Sequence, residues 1–472
     1  MLNSVHKLFA VYRARTLVVY VYLAFAGVGW GQETPFPMTD PVLEALISEA
    51  INQDPDLLRQ RLVITERTAA VDLAAANRRP TVDLRADYIL SAGGRISELP
   101  IGDLLNPVYG TLNQLTGAGE GGFPTNLANE EIRFIPSNFH DTRLEATLPL
   151  LAPQIEREVA LRRAQVREAE AGAAPLRNQL RFQVRDFYYA YQEATTGLRI
   201  TASARTALDE VLRINRSLLR NDKITADAVY RTEAEIAQLD AQSAQLAGQQ
   251  RSARAALNRL LGRELSLPLP TDTTALRLPD PSTRPDPAHL RTAAQTQRPE
   301  LTQLQRGSES LDRLADLQDA ERLPTLGLRA QAGAQGFFNG DFNDHPYFTL
   351  GAGFSWNLYD GNRRAIRVQQ TRLQQEQLRQ QTEATRRAVD LDVWQATEQV
   401  TAQQARLTAA TAGIRAAREA LRITERRYRN DQALLVEYLD ARNQLTTAEL
   451  TYALAQYGVL RAYAGLERAV GE

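Results

Sequence analysis

Four stretches of the chain alternate between apolar and polar residues. They are residues 82–88, 144–150, 326–332 and 348–358. A period of two predicts β-strands with one apolar and one polar face. At about 10 residues, such strands have the length of a tilted membrane-spanning β-strand. A half-buried sheet of a soluble protein shows the same alternation, so the strands by themselves leave both interpretations open.

Long polar segments follow the second strand of each pair. Residues 362–430 contain no proline and a single glycine, Gly413, which predicts a helix of roughly 100 Å. Apolar residues recur every seven positions, which predicts coiled-coil packing. In this segment they are Val393, Val400, Leu407, Ile414, Leu421 and Tyr428, and in the earlier one Val184, Tyr191, Leu198, Leu212 and Leu219. Arg205 interrupts the earlier series, and Pro175 predicts a kink in that helix.

The sequence contains an internal duplication. The phrases "DPDLLRQ" and "RRPTVDLRA" return as "RPELTQL" and "RLPTLGLRA" at one common offset. Later matches, such as "RNDK" and "RNDQ", have a shorter offset, which places an insertion at 91–140 in the first half. We therefore predict two repeats, 38–264 and 289–468, joined by a proline-rich linker at 265–288. Each repeat reads helix, strand, strand, long helix and return helix, with the first long helix ending at about residue 220.

The N-terminus has the pattern of a secretory signal peptide over residues 1–31. Lys7, Arg13 and Arg15 precede an apolar run at 16–30, and small residues follow it. The run is short for a membrane-spanning helix of about 20 residues. An N-terminal anchor helix is the alternative.

Composition excludes several classes of function. The net charge is −1, so the chain lacks the basic excess of nucleic-acid-binding proteins. It has no cysteine, which excludes disulfides and thiolate zinc sites. The histidines, His6, His140, His289 and His345, are expected in the signal peptide, in loops or in the linker, without metal-binding spacing. We expect no enzymatic activity, no metal and no cofactor.

Four strands cannot close a barrel, because the smallest membrane barrels have about eight and an open edge in hydrocarbon leaves costly unpaired backbone groups. If the strands lie in lipid, the chain must therefore oligomerise. A trimer supplies 12 strands and 12 helical rods. The fold class predicted is mainly α with a small β part, assembled as a trimeric 12-stranded membrane β-barrel continued by a 12-helix α-barrel.

The duplicated order of elements and four phrases resemble the TolC-like outer-membrane efflux proteins, also called outer membrane factors. The phrases are "RPEL", "LPTLGLRA", "WNLYDGNRR" and "ALNRLLG". The resemblance covers about residues 40–468. It implies a homotrimeric channel-tunnel in the outer membrane of a Gram-negative bacterium, with a periplasmic extension that docks on an adaptor protein and an inner-membrane pump. The function implied is the passive exit duct of a tripartite efflux or type I secretion system.

The resemblance also implies site residues in the turns that join the long helices to the return helices. Glu437 and Asp440 match the acidic constriction of the family, where three-fold symmetry would make carboxylate rings that favour cations. Acidic residues in the first turn of a helix are also common for purely structural reasons.

A tip-gating contact is implied by the same resemblance. Tyr428 and Asp227 match a tyrosine–aspartate hydrogen bond between neighbouring tip turns. The partner arginine of the family is absent, since Ala433 stands there. Lys223 or Arg429 are the substitute bases, or the closed state is weaker.

The insertion at 91–140 is expected to be an extracellular loop. Its apolar middle predicts that it folds over or into the barrel mouth or packs against a neighbouring copy, and a flexible loop is the alternative. The main rival for the whole chain is a secreted coiled-coil scaffold with a soluble β cap. The sequence does not distinguish drugs, metals or proteins as cargo.

Overall fold

The computed structural model describes residues 40–117, 119, 121–135, 138–270, 278–279, 285–337 and 345–471. Helices make up most of these residues. The elements are α1 (Pro41–Gln53), α2 (Pro55–Ala76), β1 (Thr81–Ile89), β2 (Ile96–Leu99), α3 (Ile101–Thr116), β3 (Glu130–Arg133), β4 (Phe139–Leu151), α4 (Pro153–Ala171), α5 (Ala173–Arg220), α6 (Ala226–Leu260), α7 (Pro287–Gln297), α8 (Pro299–Ala320), β5 (Thr325–Phe337), β6 (His345–Ser355), α9 (Arg363–Arg429) and α10 (Leu435–Val470). The signal peptide expected at 1–31 lies outside the described residues.

The four strands predicted from the alternating pattern are confirmed. They form one antiparallel sheet in the order β1-β4-β5-β6. The register aligns apolar side chains in rows across the sheet, for example Leu84, Leu144, Ala332 and Phe348. Leu84 is 71% exposed and Phe348 is 68% exposed, so the apolar face is uncovered by the described part of the chain.

The insertion at 91–140 contains regular structure, and its location outside the cell stays a prediction. β2 and β3 pair in an antiparallel ribbon, and α3 lies between them in the sequence. Asn106 exchanges two hydrogen bonds of 2.9 Å with the backbone of Leu127, and Asn113 exchanges two of 2.7 Å with that of Phe123. These paired bonds fasten α3 along its length to the segment that returns to β3.

All three described histidines lie in regular elements rather than in loops or the linker, contrary to expectation, and His289 is in the first turn of α7. His140 is opposite Tyr88 in the β1–β4 pairing, because β4 already begins at Phe139. His345 is the first residue of β6. The sequence missed the two strand positions because the alternation weakens towards the ends of the strands.

The first long helix is interrupted at Gly172, where α4 ends and α5 begins. Pro175 lies in the first turn of α5, where a missing N–H removes no helical hydrogen bond. The predicted disturbance is therefore present, three residues earlier than expected. In contrast, α9 runs unbroken for 67 residues, within one residue of the predicted ends.

Each helix predicted before a strand pair is two helices, divided in front of a proline. Asp54 separates α1 from α2 and accepts a hydrogen bond from the Leu57 N–H at 2.9 Å, which caps α2. Arg298 separates α7 from α8. Its guanidinium donates to Asp392 and to the carbonyl oxygen of Arg468, both at 2.9 Å. This arginine therefore ties the start of α8 to α9 and α10.

The seven-residue seam is confirmed in the middle of α9, where Val393, Val400 and Leu407 are buried against α10 and α7. Leu421 is buried in a second cluster nearer the tips. A seam of this kind keeps two long helices in contact over many turns.

On α5, the buried seam after Tyr191 lies one residue before the predicted seven-residue series. The buried positions there are Ala194, Gly197, Thr201, Ala204, Leu208, Val211 and Asn215. Leu198, Arg205 and Leu212 flank this line. Arg205 therefore lies beside the seam and does not interrupt it, contrary to the prediction.

Strands and helices pack side by side in the same order along the length of the chain. Each chain therefore forms a single layer that is four elements wide, which we call the wall. The sheet has the order β1-β4-β5-β6, the adjoining helices pack in the order α2-α4-α8-α9, and the helices towards the tips pack in the order α6-α5-α10-α9. Within the described residues, the outer elements have a lateral neighbour on one side only; they are β1, α2 and α6 on one side, and β6 and α9 on the other.

Candidate functional site: the helix tips and the polar face of the sheet

Two turns of the same geometry connect the long helices to the return helices. Asp222 follows α5 and Asp431 follows α9, with φ of 54° and 55°, in the left-handed region that usually favours glycine. In each turn a backbone N–H returns to a carbonyl five residues earlier, which closes a Schellman motif. These bonds join Lys223 to Leu218 at 3.0 Å and Gln432 to Arg427 at 2.8 Å. The phrases "RNDK" and "RNDQ" therefore specify the same reversal.

The first tip holds Asp227 in the first turn of α6. The Thr225 hydroxyl donates to its carboxylate, and Arg231 Nε lies 3.5 Å from Asp227 Oδ2. The hydrogen bond from Thr225 and the charge of Arg231 hold the pKa of Asp227 below its usual range. Lys223 is exposed in the turn that precedes α6. The first tip thus contains a carboxylate that is already paired within its own helix.

The second tip presents two carboxylates at the start of α10. Glu437 and Asp440 are exposed and lie three residues apart, on one helix face. Asp440 accepts a hydrogen bond from Gln444 Nε2 at 2.8 Å. Arg429 is engaged elsewhere, because its guanidinium donates to Glu425 at 2.5 Å. The second tip therefore offers solvent a carboxylate pair with no basic partner among the described residues.

Tyr428 stacks on Tyr438, with ring centroids 5.2 Å apart and an angle of 15° between the rings. Burial raises the pKa of both phenols above the ordinary value. The described part of the chain contains no hydrogen bond between Tyr428 and Asp227, so one chain does not bring these two predicted gate residues together. A bond between neighbouring copies stays a prediction.

Sequence reasoning missed Tyr438. The signal was present in the duplication, where Tyr428 and Tyr438 occupy the positions of Leu219 and Val229. Two aromatic residues at two facing positions of one repeat point to a contact that the other repeat lacks. Tyr438 belongs to an apolar cluster of α5, α6, α9 and α10 that joins the two helical hairpins near their tips.

The polar face of the sheet carries its charges in transverse rows. The register gives one row with two carboxylates, one with two arginines, and another with two carboxylates. They are Asp83–Glu145–Gln331–Thr349, Arg85–Arg143–Gly333–Tyr347 and Asp87–Asp141–Gln335–His345. The sequence predicted a polar face, but rows across strands depend on a register that only the fold supplies.

None of the described helices is both long enough and apolar enough to cross a membrane.

Residues 290–472 match the family described as outer membrane efflux protein. A search of curated proteins by sequence gives no significant match. Solved structures that resemble the chain include the outer-membrane channel OprN, at 20% identity and a TM-score of 0.67, over 92% of this chain and 90% of that chain.

Two further channels show the same fold at lower identity. VceC of Vibrio cholerae is 17% identical with a TM-score of 0.65, over 91% of this chain and 96% of that chain. The open state of MtrE of Neisseria gonorrhoeae is 17% identical with a TM-score of 0.66, over 91% and 89%. The second repeat therefore matches the outer membrane efflux protein family, and nearly the whole chain has the fold of the outer-membrane channels to which it is similar.

Proposed function

We propose that three copies of the chain form the passive exit duct of a tripartite efflux or type I secretion system, gated at the periplasmic helix tips. The observation that carries this proposal is the wall described above, which is open at both edges at every level. Such a wall needs neighbours along its whole length, and copies of the same chain provide matching edges.

At the level of the sheet, closure is an energetic requirement. Among the residues that the structure describes, β1 and β6 each leave one row of backbone N–H and C=O groups without a partner strand, and the apolar face is exposed. In hydrocarbon every unpaired backbone group costs several kcal/mol. Pairing β1 of one copy with β6 of the next removes both edges, and three copies give the 12-stranded barrel.

At the level of the helices, the two free edges have faces of small residues. These are Ala234, Ala237, Ala241 and Ala244 on α6, and Ala402, Ala405, Ala409, Ala412 and Ala416 on α9, all exposed in the single chain. Both faces point away from the buried seams of their helices. Small side chains allow two helices to approach closely, which supports packing of α6 of one copy against α9 of the next and closure of a 12-helix α-barrel.

The gate is assigned to the tips. Three copies of Glu437 and Asp440 would form carboxylate rings that favour cations. A hydrogen bond between Tyr428 and Asp227 of neighbouring tip turns would hold the aperture closed. Lys223 is favoured over Arg429 as the accompanying base, because Arg429 is held by Glu425.

The location and partners follow from the family. We place the sheet in the outer membrane of a Gram-negative bacterium and the helices in the periplasm, with a periplasmic adaptor and an inner-membrane pump as partners. The insertion at 91–140 then lies outside the cell. The duct needs no cofactor, and whether the cargo is drugs, metals or proteins is set by the pump.

The test is purification of the mature protein from the outer-membrane fraction. We expect trimers that resist detergent and that conduct ions in planar bilayers. A water-soluble monomer without conductance would support the secreted scaffold instead.

A further inference from the structure

Like charges face each other where β1 and β4 pair. Asp83 is opposite Glu145, and Arg85 is opposite Arg143. Like charges directly opposite on neighbouring strands are unfavourable. The contacts are made diagonally instead: Arg85 Nη1 lies 3.9 Å from Glu145 Oε2, and Arg143 Nη1 lies 2.9 Å from Asp87 Oδ2. Neighbouring rows are therefore held together by ion pairs between the arginines of one row and the carboxylates of the next.

Glu145 is the centre of this network. Its side chain is 8% exposed, although the sheet around it is open to solvent. Besides Arg85 of β1, it contacts Arg329 of β5, whose Nε lies 3.2 Å from Oε1, and it accepts a hydrogen bond from Gln331 Nε2 at 3.2 Å. One carboxylate on β4 thus serves an arginine on each neighbouring strand.

Arg143 has the complementary role one row away. It pairs with Asp87 on β1 and with Asp141 on its own strand, and Asp141 accepts a hydrogen bond from the Tyr347 hydroxyl of β6 at 2.8 Å. Gly333 is opposite Arg143 on β5 and leaves room for its side chain, because a Cβ at position 333 would lie only 2.7 Å from Arg143 Cβ. The network therefore crosses all four strands and joins three arginines to three carboxylates, while Asp83 is a fourth carboxylate on the same face outside these contacts.

We propose that Glu145 determines the charge selectivity of the barrel lumen by neutralising Arg85 and Arg329. This inference rests on the proposed function, in which the polar face of the sheet lines the duct. With Glu145 in place, Arg85 and Arg329 are paired and exert no preference for anions, and discrimination by charge is left to the remaining carboxylates, Asp83 on this face and those at the tips. Without it, two arginines of each chain face the lumen unpaired, and a ring of unpaired cationic side chains favours anions.

The test is the reversal potential of single channels in planar bilayers under a potassium chloride gradient. We expect Glu145→Gln to shift the potential towards chloride preference, and Arg329→Gln to shift it towards potassium preference. The double variant Glu145→Gln/Arg329→Gln should return close to the parent value, because it removes one charge of each sign from the same contact. The glutamine at position 145 has the size of glutamate and keeps an acceptor for Gln331.

The outcomes separate the two proposals. If Glu145→Gln fails to assemble, Arg329→Gln carries the test alone, because Arg329 is 64% exposed and its removal leaves the contact between Arg85 and Glu145. A conducting parent whose reversal potential is unchanged by Arg329→Gln and by any assembled Glu145→Gln overturns the inference and leaves the duct intact. A parent protein that does not conduct overturns the proposed function, and the inference with it.

Discussion

Arg205 of α5 forms an ion pair with Asp240 of α6 across the first helical hairpin. Arg205 also contacts Asp209 one turn further along α5, with Nε 3.0 Å from Oδ1. The duplication places Ile414, Arg418 and Glu449 at the three equivalent positions of the second hairpin. There Arg418 Nη2 lies 3.7 Å from Glu449 Oε1. At this level each hairpin is thus bridged by one arginine, supplied from a different position of the long helix, and the first hairpin has a further bridge between Arg216 and Glu233 at 2.7 Å.

The first prediction follows from this exchange. Arg205→Ile should leave Asp209 and Asp240 close together without their shared base and lower the free energy of unfolding by about 1 kcal/mol, the range for a solvent-exposed pair. Arg205→Ile/Asp209→Arg recreates the arrangement of the second hairpin and should recover most of that loss. Denaturation of the purified protein followed by circular dichroism measures both values, and a double variant no more stable than the single one would contradict the explanation.

The second prediction concerns the aperture. Glu437→Ala/Asp440→Ala should reduce the preference for cations in single-channel recordings, because the carboxylates that would form the rings are gone. Glu419→Ala is the control, since this exposed carboxylate of α9 is paired with Arg422 and lies on the other helix of the hairpin. Unchanged cation preference in the double alanine variant would remove the ring hypothesis.

The third prediction concerns the stacked tyrosines. Tyr438→Val introduces the residue of the first repeat without its partner Leu219, so it leaves a cavity beside Tyr428. We expect a loss of about 2 kcal/mol in unfolding free energy and a higher open probability of the channel. Tyr438→Phe keeps the ring and should behave as the parent. If Phe and Val have the same effect, the hydroxyl rather than the stacked ring holds the tip.

The fourth prediction is a dependence on alkaline pH. Burial raises the pKa of Tyr189 to about 12. An unfolded tyrosine ionises near pH 10. The contribution of Tyr189 to the free energy of unfolding is therefore fully present below about pH 10 and is lost as the pH rises towards 12. Tyr189→Phe should therefore lose less stability over this range, by on the order of 2–3 kcal/mol at pH 12.

The control for this titration is Tyr230→Phe, which removes an exposed hydroxyl. Its stability between pH 9 and pH 12 should follow that of the parent protein. Equal curves for Tyr189→Phe and the parent would show that the alkaline loss comes from other groups.

The fifth prediction concerns the insertion. Leu104 and Leu115 of α3 are 67% and 79% exposed, while Asn106 and Asn113 fasten the opposite side of the helix. If the apolar side packs over the mouth or against a neighbouring copy, deleting residues 101–117 should raise conductance and antibiotic uptake. Unchanged conductance and uptake would leave the insertion as an ordered but separate surface feature.

Several elements could be read directly from the sequence. The alternation at 326–332 and 348–358 predicted strands β5 and β6, although β6 lies three residues earlier and ends at Ser355, and the absence of proline over 362–430 predicted α9 to within one residue. These are local signals, because a strand repeats every two residues and a helix every 3.6. The duplication then predicted the same order of elements in the first half of the chain, where the local patterns are weaker.

The roles assigned to the candidate site stay predictions. Glu437 lies in the first turn of α10, Asp440 one turn later and Asp227 in the first turn of α6, because the turn phrases mark where those helices begin. Tyr438 was missed, since its contact with Tyr428 joins two helices that approach only after the hairpin closes. The helix in the insertion was missed because the asparagines that fasten it bond to backbone elsewhere in the chain.

The sequence by itself determined the elements, their order and their repetition, since each depends on the period of apolar residues or on the backbone preferences of a few neighbours. The tertiary structure decided which residues face each other: the displaced seam of α5, the exchange of Arg205 for Arg418, and the network around Glu145. A shift of one residue turns a strand face over or moves a helix seam aside. The register of a strand and the position of a helix seam are decided by contacts between segments that are distant in the sequence. The local spacing of apolar residues carries no information about those contacts.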